Sequence, residues 1–177
     1  MKIRTVISAS ELDAIVTAAA ASAVEALSQL RQVGSEQEAL KVLWDMKVGS
    51  IGRDPLNSDA PLNLIEQINQ TFTYIASARA ASKLFELHPN AAPFTLNLGT
   101  STGSDIESKK DGNIAAEVFA AVSTSNNKKL AKDIAKVKGV AAQFRYVFFM
   151  CPGIGPGRQE HLEKQAGVQV WSVGDEI

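Results

Sequence analysis

The chain has 177 residues, 45% of them hydrophobic, enough to bury a core of its own, and residues 1–177 are expected to form a single domain. The lone Cys151 excludes an internal disulfide, and no basic leader with an apolar stretch and a small-residue cleavage site opens the sequence, so a cytoplasmic protein is expected. A net charge of −1 gives no global attraction to nucleic acid but leaves a local basic face open, and the longest apolar-looking run, AIVTAAAASAV, is mostly alanine and too short for the roughly 20 residues of a bilayer crossing.

In chain order, IRTVI reads as a short strand, and Ser10 as the N-cap of a helix over ELDAIVTAAAASAVEALSQL that Gly34 ends. Ser35 and Glu38 have capping-box spacing and open a second helix, EQEALKVLWDM, whose Ala39, Leu40, Leu43 and Trp44 form one apolar stripe assigned to the core. KVGSIGRDPLNSDAPLN carries Gly, Pro, Asn and Asp throughout without periodicity and reads as a long loop. Residues 1–60 are therefore an N-terminal helical extension packed on a core of residues 61–177. After Pro61 a long helix, LNLIEQINQTFTYIASARAASKLFEL, runs toward Pro89, which tolerates no helical turn before it. Glu66, Gln70 and Tyr74 give that helix a partly polar face.

PFTLNLG alternates Phe94, Leu96 and Leu98 against Thr95 and Asn97, the period of a half-buried strand. SDIES and NIAAEVFAAVS flank a polar turn, KKDGN. The helix NKKLAKDIAKV follows, with Leu130, Ile134 and Val137 on its buried side and Lys128 and Lys132 opposite. RYVFFMC is a continuous apolar run, as in an interior strand covered on both faces. A Gly/Pro loop, a short helix RQEHLEKQA and a last strand VQVWSV complete the chain. The loop lacks the Gly-Lys-Ser/Thr ending of a nucleotide P-loop and reads as a turn with Arg158 near phosphate. Cys151 reads as a buried thiol, and two histidines with one cysteine do not make a structural zinc site.

Asp105 and Glu117 stand on either side of the KKDGN turn. If Lys110 and Asp111 form a type I turn and Gly112 takes the left-handed conformation of a bulge, Lys109 pairs with Asn113 and Asp105 lies opposite Glu117, with β-carbons ~5 Å apart. If Asp111-Gly112 forms a two-residue turn instead, Lys110 pairs with Asn113 and the carboxylates point to opposite faces. The sequence suits both. In the first register the two acids suit Mg²⁺ or Mn²⁺, which prefers oxygen ligands, and Glu107, on the same face, is a further ligand. Without metal, two such charges repel, so at least one is expected to bind a proton more readily than an ordinary carboxylate. A solvated acidic hairpin on an unrelated α/β protein is the other reading.

From Pro61 the expected order is α-β-β-β-α-β-α-β, with SDI on the second strand and AEVF in the third. This order and these two carboxylates resemble the PD-(D/E)XK nuclease superfamily over about residues 61–173. The resemblance implies a restriction-endonuclease-like αβββαβ core, with a mixed central sheet flanked by helices, whose Asp105 and Glu117 hold Mg²⁺ beside a scissile phosphate. It also implies a helical glutamate, Glu66, as some relatives add one. The lysine expected two residues after the glutamate is Phe119 here. Some relatives move that residue to a neighbouring element, and Lys129, flanking the buried stripe of its helix, is the candidate. Lys128, Lys132 and Arg158 are assigned to the phosphate backbone. The function implied is a Mg²⁺-dependent DNA phosphodiesterase acting as a homodimer. The alternative is a nuclease-fold protein without catalysis, acting in nucleic-acid binding or assembly.

Overall fold

The apolar run from Tyr146 to Met150 is buried at every position, and the sheet is arranged around it. A computed structural model describes residues 2–30, 35–110 and 113–177. In chain order the elements are β1 (Ile3–Val6), α1 (Asp13–Leu30), α2 (Glu36–Val48), β2 (Gly52–Asp54), β3 (Asn57–Leu62), α3 (Leu64–Leu87), β4 (Phe94–Asn97), β5 (Ile106–Ser108), β6 (Ile114–Ala120), α4 (Lys129–Lys138), β7 (Phe144–Met150), β8 (Gly157–Arg158) and β9 (Gln169–Ser172). They divide into two compact units, one of the chain up to Asp13 with Ala76–Ile177, the other of Ala14–Ile75. The division falls within α3. No described helix is long and apolar enough to cross a membrane.

The first unit holds a mixed seven-stranded sheet in the order β1-β4-β5-β6-β7-β9-β8. Strands β1, β4, β5 and β6 pair antiparallel, β6, β7 and β9 pair parallel, and β8 returns antiparallel at the edge. Parallel pairing of β6 with β7 requires a crossover, and α4 supplies it. Its buried Leu130, Ile134 and Val137 pack with Ala115, Phe119 and Phe149 on one sheet face. On the other face lie buried Ala116, Val118, Tyr146 and Phe148. Toward that face the end of α3 presents a run of small buried residues, Ala76, Ala80 and Ala81, with Leu84. Phe85 meets Phe94 edge-on at 4.9 Å, and the Lys83 ammonium sits 5.3 Å from the Trp171 ring centre. Interior β7, the β5–β6 hairpin beside it and helices on both faces all agree with the sequence reading.

Four local expectations need correction. The 47–63 segment is no loop: β2 and β3 form an antiparallel pair with an irregularity at Arg53/Asp54, and Asp54 Oδ1 accepts the Leu56 N–H (2.9 Å) to turn the chain. A strand containing Pro61 gives no sequence signal, but in a two-stranded sheet both strands are edges and tolerate proline. RQEHLEKQA is no helix either. Gly157 and Arg158 pair with β9, only Glu160–Leu162 forms a 3-10 turn, and the Arg158 guanidinium is tied to Glu163. Ser10 lies inside a 3-10 turn, Ala9–Leu12, ahead of α1, so it caps nothing. Ser35 does cap α2, accepting the Glu38 N–H at 3.2 Å. The α2 stripe assigned to the core is instead exposed at Leu40, Leu43 and Trp44. Gly34 lies outside the described residues.

Candidate active site

The hairpin register is Ile106↔Ala116, Glu107↔Ala115 and Ser108↔Ile114, so one step further out Asp105 lies opposite Glu117. This is the first of the two registers. The turn residues Asp111 and Gly112 lie outside the described residues, and Asn113, just after them, takes a positive φ of 56°. Two backbone bonds hold Asp105. Its carbonyl accepts the Asn97 N–H (2.8 Å), and its Oδ2 accepts the Val118 N–H (2.7 Å). Glu117 stands in the middle of β6 and is 1% exposed, an unusual place for a carboxylate.

Helix α4 brings the counter-charges. Residues 129, 133 and 136 follow the spacing i, i+4, i+7, so Lys129, Asp133 and Lys136 form a stripe one residue out of step with Leu130, Ile134 and Val137. Burying the apolar stripe against β6 and β7 therefore carries the polar stripe to the margin of the same face. The Lys136 ammonium donates to Glu117 Oε2 at 2.6 Å, and Lys129 donates to Asp133 Oδ1 at 2.7 Å. Both lysines stay about half exposed, while both carboxylates are buried. Glu117 Oε1 and Asp133 Oδ2 have no hydrogen-bond partner among the described residues.

These surroundings shift the titrations. Burial is the largest influence on Glu117 and, with help from neighbouring Asp105 and Asp133, outweighs the Lys136 bond, so its pKa rises from the ordinary 4.5 to about 7. The expected rise in proton affinity is present, but desolvation leads it and repulsion from Asp105 is secondary. Asp105 is raised too, by burial, against the Val118 N–H and the two lysines. Asp133 is raised by burial against its bond to Lys129. Burial pulls Lys136 down, but Glu117, Asp105 and Asp133 together push it upward.

Among the expected site residues, Asp105 and Glu117 come together. Glu107 shares their sheet face, with one oxygen accepting the Ser104 N–H at 2.8 Å. Lys129 does not reach Glu117; its ammonium is taken by Asp133. Glu66 belongs to the other unit, exposed in the first turn of α3, where its N–H is capped by Asn63 (2.8 Å). Lys128, with φ of 55°, and Lys132 face solvent, as expected. Arg158 turns one edge of its guanidinium, Nε and one terminal nitrogen, to Glu163 at 2.8 and 2.9 Å. Phe119 is 3% exposed and stacks on Phe149 at 5.9 Å beneath α4, so the place of a strand lysine is filled with core. The Cys151 thiol is buried, and burial pushes its pKa up.

The lysine on the carboxylate pair, Lys136, and the buried Asp133 were not anticipated. Their signal was the i, i+4, i+7 spacing with Lys129, read as part of a solvated lysine-rich face. Hard oxygen donors and a buried carboxylate oxygen without a partner suit Mg²⁺ or Mn²⁺, with water completing the shell. Among the described residues no group of three or more His, Cys, Asp or Glu is placed to hold a metal. No family model, curated protein or solved structure matches this chain.

Proposed function

We propose that the chain is a Mg²⁺- or Mn²⁺-dependent DNA phosphodiesterase on a restriction-endonuclease-like core, working in the cytoplasm as a homodimer. The observation that carries this reading is the Lys136 ammonium 2.6 Å from Glu117, beside Asp105, at the margin of an antiparallel β4-β5-β6 meander joined through α4 to a parallel β7. That succession, preceded by α3, is an αβββαβ order.

Asp105 and Glu117 are the metal ligands in this reading, with the Val118 N–H fixing the Asp105 carboxylate in place. The chemistry a hard divalent cation supplies when held there is polarisation of the scissile phosphate and a lowered pKa for an attacking water. Lys136 replaces the missing strand lysine: its half-exposed ammonium orients the water and offsets charge developing on the phosphate. Lys128 and Lys132 contact the phosphate backbone, where each contact steepens the salt dependence of binding. A fold relative that binds nucleic acid without cutting it is the second reading, and buried Phe119 is the observation that favours it.

Thermal unfolding with and without divalent cation tests the site. Mg²⁺ or Mn²⁺ raises the Tm of the parent, since a ligand bound only by the native state stabilises it. Asp105→Asn with Glu117→Gln keeps the fold and loses the shift. Parent and double variant responding alike to metal would contradict the proposal.

A further inference from the structure

Helix α2 is apolar on two sides. Ala39, Val42 and Met46 form a partly covered side, while Leu40, Leu43, Trp44 and Val48 form a second stripe at i, i+3, i+4, i+8 that stands in solvent at 71%, 59%, 65% and 53% exposure, with Lys47 of the last turn between Leu43 and Leu40. A helix facing water on one side normally keeps charged residues there, and a helix apolar nearly all round is normally covered. Scattered exposed apolar residues need no explanation, but four in register on one short helix do.

From this we infer that a second copy of the chain docks on the exposed face of α2, pairing α2 with α2 about a two-fold axis. Charge argues against other occupants. The sequence from residue 14 to 75 carries seven acids and four bases, and Lys41 is already paired with Asp45 at 3.0 Å, so neither an anionic lipid surface nor a phosphate backbone is attracted. The stripe is also complementary to itself. Leu40 and Val48 lie four residues on either side of Trp44, so antiparallel crossing at Trp44 sets Leu40 of one protomer against Val48 of its partner, twice over. Size agrees as well. At on the order of 100 Å² for each side chain, the four stripe residues and their rim bury about 1,000 Å² over both copies, the lower end of specific interfaces. This inference supplies a surface for the homodimer proposed above but rests on α2 alone, so a chain that dimerises without cutting DNA, or cuts as a monomer, separates the two.

The test is sedimentation velocity and light scattering on the full chain from low micromolar to submillimolar concentration, with Leu40→Glu, Leu40→Lys and Trp44→Glu alongside. The expected result is a concentration-dependent dimer in the parent that all three variants lose, whatever the sign of the added charge, with melting curves that still show cooperative folding. In a Trp171→Phe background, Trp44 emission is expected to shift to the blue over the same concentration range, which reads the contact without perturbing it. A monomer at every concentration overturns the proposal, as does a dimer that survives all three substitutions, or a monomer that instead co-sediments with phosphatidylcholine vesicles.

Discussion

Replacing Glu117 by glutamine is expected to stabilise the metal-free protein at alkaline pH and to give no such gain in acid. Carrying a buried carboxyl from 4.5 to about 7 corresponds to about 3 kcal/mol of penalty on its ionised form. The folded-state pKa lies above the unfolded one, so between pH 4.5 and 7 the native chain keeps a proton that the unfolded chain has released. Stability therefore falls as pH rises through that window, and the full penalty stands above pH 7. Glutamine keeps the shape and cannot ionise. Asp105 and Asp133 titrate in both proteins, and the part of their titration coupled to the Glu117 charge belongs to the same difference. Urea unfolding in EDTA at about pH 4 and pH 8 is then expected to show the stability difference between the two proteins move by about 3 kcal/mol, in favour of the variant at the higher pH. A difference that stays constant, or one that moves toward the parent as pH rises, would refute the assignment of Glu117 as a buried carboxyl held in an unfavourable charged state.

Two further substitutions probe the lysine. Lys136→Ala is expected to lower turnover about 100-fold or more while leaving the metal-induced rise in Tm in place, and Lys129→Ala to cost less than about 10-fold; cleavage and melting curves for both variants check this, and equal losses would remove the distinction between the two cations. Phe119→Lys, which restores a lysine at the strand position, is expected to destabilise the fold by about 3–5 kcal/mol in urea unfolding and to add no activity, because the site lies in the core against Phe149.

Much of the sheet was legible because its strands follow simple burial rules. Phe94, Leu96 and Leu98 alternate as a half-covered strand must, and the Tyr146–Met150 run has no charged residue, its one hydroxyl, on Tyr146, bonding His88. The acidic pair was legible as two alternatives only. Asp-Gly suits both turns, and it takes the pairing partners of Ile106 and Ser108 to choose between them. Lys136 was not legible from lysine content, since a solvated lysine face and a lysine stripe at the edge of a buried face differ by a rotation of one residue about the helix axis. Residues 52–62 were missed because a two-stranded ribbon buries little, so it imposes no hydrophobic period on sequence. The stripe at Leu40, Leu43 and Trp44 is legible as apolar but not as exposed, because periodicity marks an apolar face without saying what lies against it.

Cleavage of closed circular DNA by the purified parent and by Glu117→Gln, each with Mg²⁺ or Mn²⁺ and with EDTA, tests the central proposal most directly. Nicked or linear product is expected from the parent with metal, and none from the parent in EDTA or from the variant under either condition. Equal cleavage by parent and variant, or intact DNA in every lane from a parent whose Tm responds to metal, would contradict it.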